Sequence, residues 1–285
     1  MRYCGREFTE WELKRIRELI AQEPQPTRVA LSQEVCKSLQ WYKADGGVKE
    51  MSCRVVLLRM QRDGLIKLPP PRRRNGNGKP YRHRSLEAEP KLPVVLPRGA
   101  LDELQLQLVG KGKQSAVWNE HIARYHYLGY KPLPGAQLRY VVRFENEELV
   151  LFGFGACAWK VAPRDQFIGW SPEQRKAGLH LVVNNARFLI LPWIQQKNLA
   201  SKALSLVTKR LAEDWQQRYG YRPALLETFV QSNRFQGTCY KAANWIHVGQ
   251  TTGRGKLDVK HEHAIPKKSI WLYPLSRDFR QILCP

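Results

Sequence analysis

The chain has 285 residues, 43% of them hydrophobic with 9 Trp, 11 Tyr and 9 Phe, enough apolar surface for packed cores and too much for a disordered protein. Against 25 Asp and Glu stand 47 Lys and Arg, a formal net charge of +22. Self-repulsion of that size in a globular chain is usually balanced by a polyanion, so nucleic acid is the expected partner, with an anionic membrane second because no bilayer-length apolar span or lipidation motif is present.

The N-terminal part reads as helical. Thr9-Glu10-Trp11-Glu12 is a capping box, and Leu13, Ile16, Leu19 and Ile20 then mark one helical face that ends at Pro24 and Pro26. A second helix from about Arg28 places Leu31, Val35 and Leu39 inward. A third, from about Glu50 to Asp63, is expected to bury Met51, Val55 and Leu58 and to end at Gly64. Leu65 to Leu68 reads as a short strand. Three short helices and a strand outline a winged-helix or helix-turn-helix module over residues 1–70, whose third helix would offer Arg54, Arg59 and Arg62 to DNA.

Residues 71–100 read as a linker. Pro69-Pro70-Pro71 stops the first domain, and an acid-free arm follows in which Arg72, Arg73, Arg74, Lys79, Arg82 and Arg84 could follow a phosphate backbone. Residues 85–100 are Pro-rich and look like spacer.

The second domain, 101–285, alternates strands and helices. Strands are predicted at Leu104–Val109, Leu138–Phe144, Leu149–Val161 and Arg187–Pro192, and helices at Ser115–Tyr127 and Asn198–Arg218. The long helix turns Leu199, Ala203, Leu206, Leu211 and Trp215 inward, and Gly178–Val183 fits either element. Arg164 to Trp170 reads as a loop, and a last strand lies near Ile270–Tyr273.

Chemistry-bearing residue types concentrate between Leu225 and Lys256, read as strand (225–230), turn, short helix (236–244) and strand (246–251). Glu227 lies in the first strand, Cys239 and Tyr240 in the helix, and Arg254 and Lys256 beyond the last strand. The six cysteines, Cys4, Cys36, Cys53, Cys157, Cys239 and Cys284, form no C-x-x-C pair, which favours a reducing compartment over a zinc ribbon. His261-Glu262-His263 carries ligand residue types at a spacing that needs a third ligand from elsewhere, so neither a metal nor another cofactor is expected. Met1 to Cys4 shows no signal-peptide pattern, and the expected location is the bacterial cytoplasm, on the nucleoid.

The order of elements resembles the GNAT acetyltransferase fold, so the expected fold class is α+β: a winged-helix-like domain and an acetyltransferase-like mixed sheet. In those enzymes a Q/R-x-x-G-x-G/A turn holds the coenzyme A pyrophosphate at a helix N-terminus. Here that turn reads Gln195 to Ala200, with Asn198 in the middle glycine's place. Their Y-x-x-x-G-F string reads Tyr240 to Trp245, with Asn244 for glycine.

A closer resemblance spans nearly the whole chain. The strings HYLGY, RDQFIGW, NNARFLILPW, NLAS, LLETFV and GTCYKAANW are similar to the DruA-like domain of the Druantia antiphage system and of transposon-associated proteins. The resemblance implies DNA-directed work and, motif by motif, a site drawn from His126, Arg164, Asp165, Trp170, Asn185, Arg187, Asn198, Ser201, Glu227, Cys239 and Tyr240. At Gln231-Ser232 the chain departs from the family, which tends to have Asp after ETFV.

These readings combine into an expected transposase- or recombinase-like enzyme that cuts and rejoins DNA, self-associating on it. Cys239, in the first turn of a helix whose dipole lowers a thiol pKa, or Tyr240 would form a covalent intermediate with DNA. Glu227 would orient a base, while Arg187 and Arg254 would steady the phosphate. The alternatives are a non-catalytic DNA-binding accessory or antiphage protein, and an acyltransferase.

Overall fold

The computed structural model describes residues 1–72, 81, 83–133, 135–253 and 265–285. It comprises two compact units, Met1–Lys79 and Pro80–Pro285. No helix among the described residues is long and apolar enough to cross a membrane.

In the first unit a hairpin of β1 (Arg2–Tyr3) and β2 (Arg6–Glu7) precedes α1 (Glu10–Ile20), α2 (Arg28–Ser38) and α3 (Glu50–Arg62). The capping box forms as expected, with Thr9 and Glu12 exchanging hydrogen bonds at the start of α1. Leu13, Ile16 and Leu19 of α1 and Leu31 and Val35 of α2 are buried.

The register of α3 differs from expectation. Its buried row is Cys53, Val56, Leu57 and Met60, and Met51, Val55 and Leu58 are exposed. Both rows have helical spacing, and only the fit against α1 and α2 selects between them. Residues 65–68 form no strand: the Leu65 carbonyl accepts from the Arg17 guanidinium, the Leu68 amide donates to Gln61, and Ile66 and Leu68 pack into the helical core. Among the described residues, therefore, no wing follows α3.

In the second unit β3 (Gln105–Leu108), α4 (Lys113–Tyr125), β4 (Leu138–Phe144) and β5 (Glu147–Ala156) come first. Then follow α5 (Ala162–Ile168), α6 (Pro172–Gly178), β6 (Val182–Ile190) and α7 (Leu199–Tyr219). The last elements are β7 (Leu225–Gln231), α8 (Thr238–Ala242), β8 (Ile246–Gln250), β9 (Lys268–Pro274) and α9 (Phe279–Leu283). The predicted loop after β5 is thus helical, and α5 carries Pro163 at its start, where a missing N–H costs nothing.

The strands form one mixed sheet, ordered β3-β4-β5-β6-β7-β9-β8, in which β6–β7 is the parallel pair and the other neighbours are antiparallel. This is the α+β mixed sheet that the element order implies. The crossover between β6 and β7 is α7, pinned by the Tyr140 hydroxyl on Asp214 at 3.0 Å and by Tyr219, whose hydroxyl bridges the Gln137 backbone.

The stretch read as spacer packs within this unit. Buried Glu120 of α4 accepts from the Ser85 amide and hydroxyl, Tyr125 donates to the Ala88 carbonyl, and Val94 bridges to Ile194. Leu96 joins the main core.

The feature that positions the site is where β6 and β7 part. Their pairing runs from Val182–Leu225 to Asn185–Thr228 and stops there. On the other side of β6, Asn185 opposes Phe154 and Arg187 opposes Gly153, so Ala186 is an extra, bulged residue that bends the strand. Beyond it β6 follows β5 while β7 follows β9, and the sheet opens between them.

Gly237, at the start of α8, makes that opening compatible with the core. It has φ 73°, and a Cβ there would lie 2.8 Å from the Trp271 ring. Gly220 has a similar φ of 76° with open space around it. Gly237→Ala is therefore expected to lower unfolding stability by more than Gly220→Ala, which carries only the backbone strain of ~1–2 kcal/mol. Urea denaturation of the two variants checks this, and equal losses would show that the Trp271 contact imposes nothing.

Candidate functional site

Four segments meet at the opening: the end of α4 and its loop, β6 beyond the bulge, the turn after β7 with α8, and the start of β9. Inside the opening Tyr240 is buried, with its hydroxyl 3.4 Å from Asn185 Nδ2 and 3.5 Å from Thr228 Oγ1. Its ring meets Phe188 edge-on at 5.9 Å, Trp245 at 5.1 Å and Trp271 at 6.5 Å. Burial pushes the Tyr240 phenol well above its ordinary pKa, and pushes the Cys239 thiol up as well.

At the rim lie three cations. Half-buried Arg187 donates to the carbonyls of Gly129 and Ala186. Arg234 places its guanidinium 4.9 Å from the centre of the Tyr127 ring and 5.9 Å from that of exposed Phe235. Burial, and then the charge of Arg187, holds the Lys268 ammonium below its ordinary pKa. No carboxylate among the described residues pairs with any of the three. At the position where the family resemblance leads one to look for Asp stands Gln231, directly opposite Lys268 in the β7–β9 register.

His126 stacks on Tyr127 at 4.8 Å. Burial, followed by Arg187, lowers its pKa to about 4, so the imidazole is neutral at pH 7. Its Nδ1 lies 3.2 Å from the Leu128 amide, which donates to it and leaves the proton on Nε2.

Other sequence candidates lie elsewhere. Side chains alternate along β7, so Thr228 faces Tyr240 and Glu227 faces the opposite side of the sheet. There Glu227 accepts from the Ala158 amide at 2.8 Å and from Arg164 at 2.8 Å. Arg164, expected to contact DNA, is fully buried; it also donates to Asp165 and sits 5.5 Å from the centre of the Trp170 ring. Burial alone would lower the Arg164 pKa, but Glu227 and the other acidic neighbours outweigh it and the pKa is raised. Asp165 accepts from the Val161 amide and pairs with Arg175. These residues tie α5 to β7 and carry no reacting group to the opening.

Asn198 and Ser201 form a turn of their own, in which the Ser201 hydroxyl donates to the Asn198 carbonyl. Asn198 adopts φ 63° and Asn244 φ 62°, so both asparagines take the left-handed conformation a glycine would supply. In the first unit Arg54 pairs with Glu50 and Arg62 with Asp63 at 3.5 Å, while Arg59 is half-buried and Arg72 exposed. Arg84 is exposed in the second unit. Arg73, Arg74, Lys79, Arg82, Arg254 and Lys256, with His261 to His263, lie outside the described residues. Among the described residues no group of three or more His, Cys, Asp or Glu side chains could hold a metal ion.

The family model of Druantia protein DruA matches residues 59–262. The chain belongs to the DruA family. No curated protein matches the sequence.

Solved structures with a similar outline include the ribosomal-protein-S18-alanine N-acetyltransferase of Escherichia coli, at 11% identity and TM-score 0.37, covering 61% of this chain and 94% of that one. A putative acetyltransferase of Salmonella typhimurium, YncA, solved with acetyl-CoA, shows 12% identity and TM-score 0.39, with 61% and 95% covered. AAC(6')-Ib, solved with paromomycin and acetyl-CoA, shows 15% identity and TM-score 0.39, with 63% and 97% covered.

The expectation of DNA strand cleavage and transfer is corrected. The proposed nucleophiles are in the wrong state. A thiol activated by a helix dipole would have a lowered pKa, and that of Cys239 is raised by burial; α8 spans only Thr238–Ala242. Tyr240 is locked inside the core by Asn185, Thr228 and three aromatic rings. Glu227 is on the far face.

Sequence reading missed Tyr127, Thr228, Arg234, Phe235 and Lys268. The usable signal was Arg234-Phe235, a cation and a large apolar ring adjacent in a polar turn. Because Glu227 serves the Arg164 network, Glu227→Gln is expected to cost about 3 kcal/mol of unfolding stability, by removing one of the two carboxylates on a buried guanidinium and leaving Asp165 as the other. Equilibrium urea unfolding reads this, and a loss under 1 kcal/mol would show that the pair does not hold α5 to the sheet.

Proposed function

We propose that the protein is a non-cleaving, DNA-binding member of the DruA family that works in phage defence or in a mobile element by holding DNA. The observation that carries this is the rim of the opening, where Arg187, Arg234 and Lys268 lie close together with no carboxylate partner among the described residues. Keeping half-buried Arg187 and Lys268 together, with exposed Arg234 beside them, is costly, and an anionic ligand offsets that cost. The excess of +22 over the whole chain extends the same complementarity.

The first unit fits a second contact. On α3 exposed Arg62 shares the outer surface with Met51, Val55 and Leu58, a mixture able to meet phosphates and thymine methyl groups.

Acyl transfer is the second reading, favoured by the left-handed Asn198 immediately before α7, a conformation that glycine, the residue of the acetyltransferase turn, adopts without strain. The residues present fit only that end of a coenzyme A. The opening between β6 and β7, where the acyl-bearing arm would lie, is filled by Tyr240 packed on Phe188 and Trp245. Acetyl-CoA is accordingly expected to leave the melting temperature unchanged, and saturable stabilisation by it would favour acyl transfer.

For DNA, the double variant Arg187→Gln/Lys268→Met is expected to bind more weakly than wild type. It should also show a shallower dependence of log affinity on log salt, by about one phosphate contact per residue removed. Fluorescence anisotropy across a salt series measures both. Unchanged affinity and slope in a folded variant would remove the rim from the DNA-binding surface.

A further inference from the structure

We infer that the rim is a single-strand site: it stacks an unpaired base on Phe235 and Tyr127 while Arg187 and Lys268 take the flanking phosphates. This deepens the DNA-binding reading above and rests on it. Three features of the rim point to an unpaired base rather than to a duplex backbone.

The first is an exposed ring. Phe235 is 46% exposed, in the turn that joins β7 to α8, and Tyr127 lies 5.4 Å from it at an interplanar angle of 57°. A large apolar ring in water costs free energy that a stacked base recovers, since every base presents a π-face. The second is Arg234, whose guanidinium lies against both rings. A guanidinium held that way is a planar, weakly hydrated surface that stacks on bases while its charge stays available to a phosphate.

The third is the position of the remaining cations. Arg187 projects from β6 on the other side of the opening, close enough for its charge to act on both Tyr127 and Lys268. The aromatic rings and the cations, which no carboxylate among the described residues pairs, thus occupy one small area. A regular duplex keeps its bases stacked inside and offers this surface phosphates and base edges but no free π-face for the rings to stack on. A single strand, a frayed end or a flipped nucleotide offers both groups at once. His126, neutral with its proton on Nε2, adds a hydrogen-bond donor beside the stack without adding charge.

The test uses the full chain and fluorescent oligonucleotides in an anisotropy titration. The probes are a single-stranded oligothymidylate, the same length of duplex, and a strand carrying abasic sites, which keeps the phosphates and loses the bases. The proteins are wild type, Phe235→Ala and Arg187→Gln/Lys268→Met. Phe235 is exposed, so its truncation leaves the core intact.

The expected result is tighter binding of the single strand than of the duplex, about tenfold weaker binding of that strand by Phe235→Ala with its salt slope kept, and a similar loss on the abasic strand. The phosphate variant should weaken every probe and flatten the slope. Equal affinity for all three probes, unaffected by Phe235→Ala but weakened by the phosphate variant, overturns base stacking and leaves DNA binding standing. No change in either variant overturns the rim as a DNA site altogether.

Discussion

The constraint on which the second unit depends is the parting of β6 from β7 after the Asn185–Thr228 pair. Two neighbouring parallel strands that separate must each keep a partner on the far side, and here β5 and β9 provide them. The bulge at Ala186 supplies the bend, and Tyr240 fills the resulting gap, tied by its hydroxyl to both strands through Asn185 and Thr228. A short helix can deliver that tyrosine only because Gly237 turns the chain in a left-handed conformation under the Trp271 ring. The core behind the opening is therefore aromatic and closed, and the cations stand outside it, at the rim.

This arrangement explains why the functional groups that look reactive in the sequence are not so in the structure. Desolvation raises the pKa of a thiol or phenol, and both Cys239 and Tyr240 lie where desolvation dominates. A carboxylate buried with an arginine is held by the desolvation cost of separating them, which makes the Glu227–Arg164 pair a fastening between β7 and α5. The rim has the opposite character, with cations that no carboxylate among the described residues neutralises. Charge left unneutralised in a half-buried place is more informative about a ligand than a reactive residue type is.

Much of the fold was legible because local pattern and packing agree. The periodicity of α7 placed Leu199, Ala203, Leu211 and Trp215 inside, where they are buried, and β4 falls on its predicted bounds. Where two patterns compete, the sequence does not decide. On α3 the rows Met51-Val55-Leu58 and Cys53-Val56-Leu57-Met60 are both helical, and tertiary contact picked the second. The absent strand at 65–68 is a similar case, since side chains of Arg17 and Gln61 took the backbone partners a sheet would have used.

The site was less legible for a geometric reason. Glu227 and Thr228 are adjacent in sequence, yet strand alternation sends them to opposite faces, so proximity along the chain misassigned the carboxylate to the tyrosine's side. The rim is assembled from Tyr127, Arg187, Arg234 with Phe235, and Lys268, contributed by segments far apart in the chain. No spacing rule joins such residues. They come together because the same divergence that Tyr240 fills from within exposes the ends of the strands and turns that carry them. The opening thus does two separable things: it closes on an aromatic wedge around Tyr240, and it gathers cations and rings at its mouth.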